Sequence, residues 1–216
     1  MEPPVKPRRR YHSPQRRQQA LATRRQVAEA AGRLFARDGY FGTSVEAIAR
    51  EAGVAVPTVY AVFGTKGAIL SDLVDDAIFG RDAPGTPAIE RTWYAELAHE
   101  PNSTRLLRHW GEYVCEVMAR VAPVQRVVRS ATDSDPDIAQ LWQRMKDQRL
   151  TGQAAVAQLL ADRHALRPGL TVGQAADIIY VLCDAALYDT FVLDRGWSPR
   201  QLARWLGDTF CALLLP

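Results

Sequence analysis

The sequence predicts an all-α chain: an N-terminal three-helix domain carrying a helix-turn-helix, followed by a larger C-terminal helical domain. Three observations predict it. Apolar residues recur at three- and four-residue spacing along most of the chain, and no alternating strand pattern competes with them. Gly53 and Pro57 set two short helices close together. Further breaks at Gly80 to Pro87, Pro101-Asn102, Pro123, Asp135-Pro136, Arg167-Pro168-Gly169 and Gly196 to Pro199 divide the remainder into helical stretches. With 216 residues and 47% hydrophobic content, the chain can bury a core in a small domain and in a larger one. No internal repeat of solenoid period is visible.

Taken in order, Arg25 to Gly39 reads as a helix with Val27, Ala30, Ala31, Leu34 and Phe35 as its apolar stripe and Gly39 as its stop. Thr43 with Glu46 forms a capping-box signature for a short helix, with Val45, Ile48, Ala49 and Ala52 on one side and Glu46, Arg50 and Glu51 on the other. Gly53 closes that helix by taking the left-handed conformation, and Val54 tucks into the turn. Pro57 fits only a first helical turn, so the next helix runs from about Val56 to Val62. Thr65 caps a fourth helix whose first turn holds Lys66 and whose buried side is Ile69, Leu70, Leu73 and Val74. An ammonium at a helix start is electrostatically unfavourable, so a negative partner is expected beside Lys66, and a phosphate would serve.

Charge is distributed unevenly. Residues 1–25 hold Lys6, Arg8, Arg9, Arg10, Arg16, Arg17, Arg24 and Arg25 against Glu2, a formal +7; the whole chain is +3, so the rest sums to −4. The basic charge therefore sits beside the helix-turn-helix, where an arm could follow phosphates or enter a minor groove. Four prolines and no apolar periodicity before residue 15 predict a flexible arm over residues 1–18, in front of a domain at 19–66 and a second at 67–216. A solubilising tail is the competing reading.

The motifs Phe35-Ala36-Arg37-Asp38-Gly39-Tyr40, Thr43 to Ala49, Ala52-Gly53-Val54 and Thr58-Val59-Tyr60, followed by Phe63, Lys66 and Ile69-Leu70, carry a resemblance. Residues from about 24 to 73 resemble the N-terminal DNA-binding domain of TetR-family transcriptional regulators. The resemblance implies that Thr43, Tyr60 and Lys66 hold DNA phosphates, and that Val56, Pro57, Thr58 and Ala61 face base edges. Arg8, Arg9, Arg10 and Arg24 join them as basic DNA contacts. The sequence departs from the common pattern at Val56, Ala61 and Val62, where polar residues are frequent. With no Arg or Asn on this helix to make a bidentate base contact, direct readout is thin, and DNA shape is left to supply specificity. Val56 and Val62 either meet thymine methyl groups or pack as core.

The last two helices are well marked. One opens with a Thr171 to Gln174 capping box and the other with Ser198, Pro199 and Gln201. Ala175, Ala176, Ile179, Leu182, Cys183 and Ala186 form the apolar face of the first; Leu202, Trp205, Leu206, Phe210 and Leu213 form that of the second. The resemblance implies that these faces meet their twins in a four-helix homodimer bundle, which would read a palindromic operator. The alternative is that both faces are buried within one subunit. Residues 88–170 hold Trp93, Tyr94, Trp110, Tyr113, Met118, Trp142 and Met145, enough to line an apolar cavity. Trp110 with Met118 on one helix and Trp142 with Met145 on another are the preferred contacts for a small-molecule ligand, against ordinary core packing.

Other classes fit less well. Of the histidines His12, His99, His109 and His164, only Glu96 to His99 matches a metal spacing; a di-iron bundle needs two such pairs and two more Glu. No nucleophile elbow, phosphate loop or zinc signature occurs, so neither enzyme chemistry, metal nor cofactor is expected. Cys115, Cys183 and Cys211 are an odd, scattered set that suits a cytoplasmic setting, and no stretch is apolar enough to span a membrane. The expected function is a ligand-responsive repressor. A DNA-organising protein without ligand response is the alternative.

Overall fold

A computed structural model describes residues 14–80 and 92–216, with side chains from residue 18 onward; the expected break between Gly80 and Pro87 lies largely outside the described residues, as do Arg8, Arg9 and Arg10. The described elements are helical: α1 (Pro14–Gly42), α2 (Val45–Glu51), α3 (Val56–Phe63), α4 (Lys66–Phe79), α5 (Thr92–His99), α6 (Ser103–Ala131), α7 (Pro136–Asp162), α8 (Val172–Leu182), α9 (Ala186–Tyr188), which runs on as a π-helix over Asp189–Asp194, and α10 (Pro199–Leu214). No strand occurs among the described residues.

Sequence-marked caps set most boundaries. Ser44 rather than Thr43 is the N-cap of α2, its hydroxyl accepting from the Ala47 N–H at 3.1 Å. Gly53 sits at φ 65°; the Val54 N–H donates to the Ala49 carbonyl and the Gly53 N–H to that of Arg50, which closes α2 with both bonds of a Schellman motif. Thr65 caps α4 through the Ala68 N–H, and the capping boxes at Thr171 and Ser198 are complete. Asn102 caps α6, and Asp135 caps α7 in front of Pro136.

Three expectations are corrected. Helix α1 begins at Pro14, so the predicted arm boundary at 18/19 falls inside a helix. The stretch Gln15 to Ala22 consists of good helix formers, and proline is favoured in a first turn. Gly39, at φ 73° and ψ 177°, does end the regular part of α1 before one more turn to Gly42. Pro123 does not break its helix: α6 passes through it, losing the bond to the Ala119 carbonyl but held by α1, α4, α7 and α10 packed around it. The helix expected to reach Ala186 instead stops at Leu182, because the Asp184 carboxylate turns inward and accepts from the Ala186 N–H at 2.9 Å, starting α9 afresh.

The N-terminal core is Val27, Ala30, Ala31, Leu34 and Phe35 of α1 against Ile48, Val59, Phe63, Ile69, Leu70 and Val74. In the C-terminal part, α6 is the hub. It crosses α10 so closely that a Cβ added to Gly111 would lie 2.6 Å from the Gly207 nitrogen, and one added to Gly207 would lie 2.9 Å from the Arg108 Cα. Two glycines inside long helices otherwise cost helix stability, and backbone contact is the reason they stand here.

This crossing bears on the expected dimer faces. Ala175, Ala176, Ile179, Cys183, Leu202, Leu206 and Phe210 are all buried within the single chain, α8 against α7 and α10 against α6, so they do not form a surface for a partner. Helical periodicity identified the buried faces correctly but not the elements that cover them. Leu182, Ala186 and Trp205 are half-buried, and Leu213 is exposed.

Gly111→Ala and Gly207→Ala each force atoms into the α6–α10 backbone contact. Each is expected to destabilise the protein by about 1–3 kcal/mol, the usual cost of overpacking. Urea unfolding checks this, and an unchanged midpoint for both variants would contradict the crossing.

Candidate nucleic-acid interface and cavity

The α2–α3 pair is held on α1 by buried apolar contacts and by side chains that satisfy backbone ends. Gln26 of α1 donates to the Ala52 carbonyl at the end of α2 at 2.7 Å. Arg24 pairs with Asp72 of α4 at 2.5 Å, donates to the Val62 carbonyl at 3.2 Å and stacks 4.4 Å from the Phe63 ring centre. Arg24, expected as a DNA contact, thus ties α1, α3 and α4 together.

Lys66 is placed with similar economy. Its ammonium donates to the carbonyls of Tyr40 at 2.8 Å and Thr43 at 3.0 Å, and lies 4.2 Å from the Tyr40 ring centre. The negative partner expected beside this residue is therefore present inside the protein, as the carbonyl-rich corner between α1 and α2. Burial lowers the Lys66 pKa, and the Asp135 charge opposes that shift. Thr43 is 1% exposed and its hydroxyl donates to the Gly39 carbonyl at 2.8 Å, so this side chain closes the corner and does not reach the surface where a phosphate would lie.

On α3, Pro57, Tyr60 and Ala61 are exposed, Val56, Thr58 and Val62 are half-buried, and Val59 and Phe63 are buried. Val56 and Val62 pack partly against the core. The exposed strip, at i, i+3 and i+4, is one helix face, with Tyr60 48% exposed at its centre. Ala55 gives α3 no side-chain cap; Pro57 carries no N–H in this first turn, and the Thr58 N–H donates to the Ala55 carbonyl at 2.9 Å.

Trp110 and Met118 of α6 and Trp142 and Met145 of α7 line one cavity of about 140 Å³, together with Trp93 of α5, Tyr113 of α6 and Ile78 and Phe79 at the end of α4. Trp93, Trp110 and Tyr113 form a ring cluster with centroids 4.8–5.5 Å apart. The polar lining was not singled out in the sequence. It comprises Gln125, Arg149 and Gln153, together with Lys146 and Gln148. Gln125 donates to Asp184 at 2.8 Å, and Arg149 pairs with the other oxygen of that carboxylate at 3.0 Å. These bonds and the Ala186 N–H outweigh the opposing effect of burial and lower the Asp184 pKa, while burial drives the Cys183 thiol far above its ordinary value. The available signal was position: Gln125 follows Met118 and Val121 on the same helical face.

Direct hydrogen bonds join the helix-turn-helix corner and α4 to the cavity's helices, one of them from Arg120 of α6 to the Ala77 carbonyl of α4 at 3.2 Å. The Tyr40 hydroxyl donates to Asp135, the cap of α7, at 3.1 Å, and Arg144 of α7 donates to Ser71 of α4 at 3.0 Å.

Residues 27–73 match the sequence model of bacterial regulatory proteins of the tetR family. The chain carries a TetR-family amino-terminal domain. Solved structures share the fold well beyond the TetR-type domain. NalD, the secondary repressor of the MexAB-OprM multidrug efflux pump in Pseudomonas aeruginosa, is 22% identical over 92% of this chain and 98% of its own, with a TM-score of 0.70. A protein of Saccharomonospora viridis named as a transcriptional regulator, solved in complex with choline, is 21% identical over 91% and 99%, with a TM-score of 0.67. A protein of Mesorhizobium loti named for the TetR family is 20% identical over 91% and 98%, with a TM-score of 0.64. No curated protein matches the chain. Among the described residues no helix is long and apolar enough to cross a membrane, and no group of three metal-ligating side chains occurs.

Burial, with the Asp135 charge and hydrogen bond adding to it, pushes the Tyr40 phenol up to about 12 from its ordinary 10.0. A raised folded-state pKa means that the stability this group contributes is complete below about pH 10 and is lost as pH rises through about 12. The stability difference between the natural protein and Tyr40→Phe is therefore expected to move against the natural protein from pH 10 upward. Paired thermal unfolding from pH 8 to 12 checks this, and a pH-independent difference would contradict it.

Proposed function

We propose that the chain is a ligand-responsive transcriptional regulator: a cytoplasmic homodimer that binds a palindromic operator as a repressor and lets go when a small apolar or amphipathic molecule enters the cavity. The observation that carries this reading is the double duty of α4. Its first residue, Lys66, is fastened to the helix-turn-helix corner, and its last residues, Ile78 and Phe79, wall the cavity. A molecule that repacks that wall moves one end of a rigid element whose other end holds the corner. The Tyr40–Asp135 bond supports a parallel route through α7. The choline complex of the Saccharomonospora protein and the repressor role in NalD's name favour ligand binding and repression in this fold.

In this reading the DNA-binding domain runs from the start of α1 at Pro14 to residue 66, and residues 67–216 form the regulatory one. Tyr60 and the third N–H of Lys66 take DNA phosphates, helped by Arg8, Arg9 and Arg10; Pro57 and Ala61, with the accessible parts of Val56 and Thr58, face base edges. Val181, 64% exposed, and Leu193, 60% exposed, join Leu213 and Trp205 as surface for the partner subunit. Ligand and operator select different head orientations, and moving occupancy from 1:99 to 99:1 requires a preference of about 5.5 kcal/mol.

Selection of duplexes from a random library by the purified protein tests the reading directly: an inverted repeat is expected, and unstructured sequence bias would point to a DNA organiser. On the selected site, Tyr60→Phe is expected to weaken binding to all sequences by a similar factor, and Thr58→Ala to change preference at one base step. A changed base preference in Tyr60→Phe would overturn its phosphate role. Val181→Asp is expected to shift the protein from dimer to monomer in sedimentation at micromolar concentration, and an unaltered dimer would remove α8 from the interface.

A further inference from the structure

We propose that the cavity is built for a single-ring aromatic acid bearing a hydroxyl group; this rests on the reading above that the cavity binds a small molecule. Size comes first. At about 140 Å³ the cavity is close to one of about 150 Å³ that holds a benzene molecule, and well below the range for drug-sized ligands. Shape follows from the walls. Trp93, Trp110 and Tyr113 pack on one another on the α5–α6 side and Trp142 stands on α7, so aromatic rings wall the space from both sides, which suits a flat ring.

Charge then separates acids from bases. The charged residues among the described lining are Lys146 and Arg149, both cationic, and no carboxylate is among them. Asp184 neutralises part of the Arg149 charge from behind the wall, which leaves Lys146, 5.9 Å from the Trp142 ring centre, as net positive charge. Aromatic rings alone would suit a quaternary ammonium, but here that cation meets like charge.

Buried polar atoms fix the substituents. The Arg149 Nε–H and the indole N–H groups of Trp93 and Trp110 are buried donors without a nitrogen or oxygen partner in the protein, that of Trp110 lying toward the Cys183 thiol, and Gln153 Oε1 is a buried acceptor without one. Gln153 is 7% exposed, so water from the surface does not readily serve it. A carboxylate would accept from the Arg149 and Trp93 donors while a ring hydroxyl donates to Gln153 Oε1, so that one molecule serves those three atoms.

The test is a tryptophan-fluorescence titration of the full chain with 3-hydroxybenzoate and 4-hydroxybenzoate, set against benzyltrimethylammonium, which keeps the ring and reverses the charge, and hexanoate, which keeps the acid and loses the ring. At least one hydroxybenzoate is expected to quench saturably and to bind about tenfold or more tighter than either control. Arg149→Lys keeps the ion pair with Asp184 but removes the Nε–H, and Gln153→Leu removes the acceptor at similar volume; each is expected to weaken that acid by about tenfold. Lys146→Gln, at the half-buried rim where folding is not at stake, is expected to weaken it several-fold with a reduced salt dependence. Tighter binding of the cation or of hexanoate, equal affinity across the variants, or no saturable binding of either acid would each overturn the assignment. The titration contains no DNA, so binding of the acid without release of DNA upholds the ligand class and overturns the regulatory coupling alone.

Discussion

The backbone contact between α6 and α10 at Gly111 and Gly207 is the constraint on which the C-terminal part is arranged. With no Cβ on either side, α10 lies directly on α6, and Leu202, Leu206 and Phe210 of α10 are fully buried within the chain. Other faces of α6 are then free to carry bulky residues. Trp110, Tyr113 and Met118 use that freedom to wall the cavity, while Val124 and Val127 stand beside Phe35, Leu70 and Leu73 of the N-terminal helices. A wider crossing would need large side chains between the helices and would displace the cavity wall by the same distance.

The N-terminal part rests on different physics. Its elements are short, and their ends are satisfied by side chains reaching across from neighbours: Gln26 to the end of α2, Arg24 to the end of α3, and Lys66 to the corner after α1. Each such bond joins two elements, so the exposed strip of α3 is positioned by polar contacts to backbone as well as by the apolar core beneath it. Position, rather than a large recognition vocabulary, is what this surface offers, since Pro57, Tyr60 and Ala61 contain one polar group among them.

Much of this was legible in the sequence where a single residue type has one structural use. Gly53, Pro57, Thr65, Thr171 and Ser198 mark helix ends because few conformations suit them, and the boundaries they imply agree with the structure. Trp110, Met118, Trp142 and Met145 share a cavity because helical spacing brings them onto facing sides of α6 and α7. Where one pattern has several physical solutions, the sequence was silent or misleading. A buried face on α8 or α10 looks the same whether a twin or a neighbouring helix covers it. The start of α1 was hidden because Gln15 to Ala22 has helix propensity but no apolar stripe, and its arginines suggest a tail equally well. Lys66 implied a negative partner but could not say that Tyr40 and Thr43 supply it through their carbonyls. Nothing in the sequence around Arg149 and Gln153 separates a cavity-facing position on α7 from a solvent-facing one.

Asp184 has an evolutionary consequence. One carboxylate accepts from Gln125 of α6, pairs with Arg149 of α7 and starts α9 through the Ala186 N–H. The chemistry of the cavity floor and the path of the chain beyond α8 are thus written into the same side chain. Drift at Gln125 or Arg149 that retunes what the cavity accepts also removes a contact from the carboxylate that sets where α9 begins. Specificity and outer shape thus meet at one side chain, and substitution of Asp184 itself would alter both.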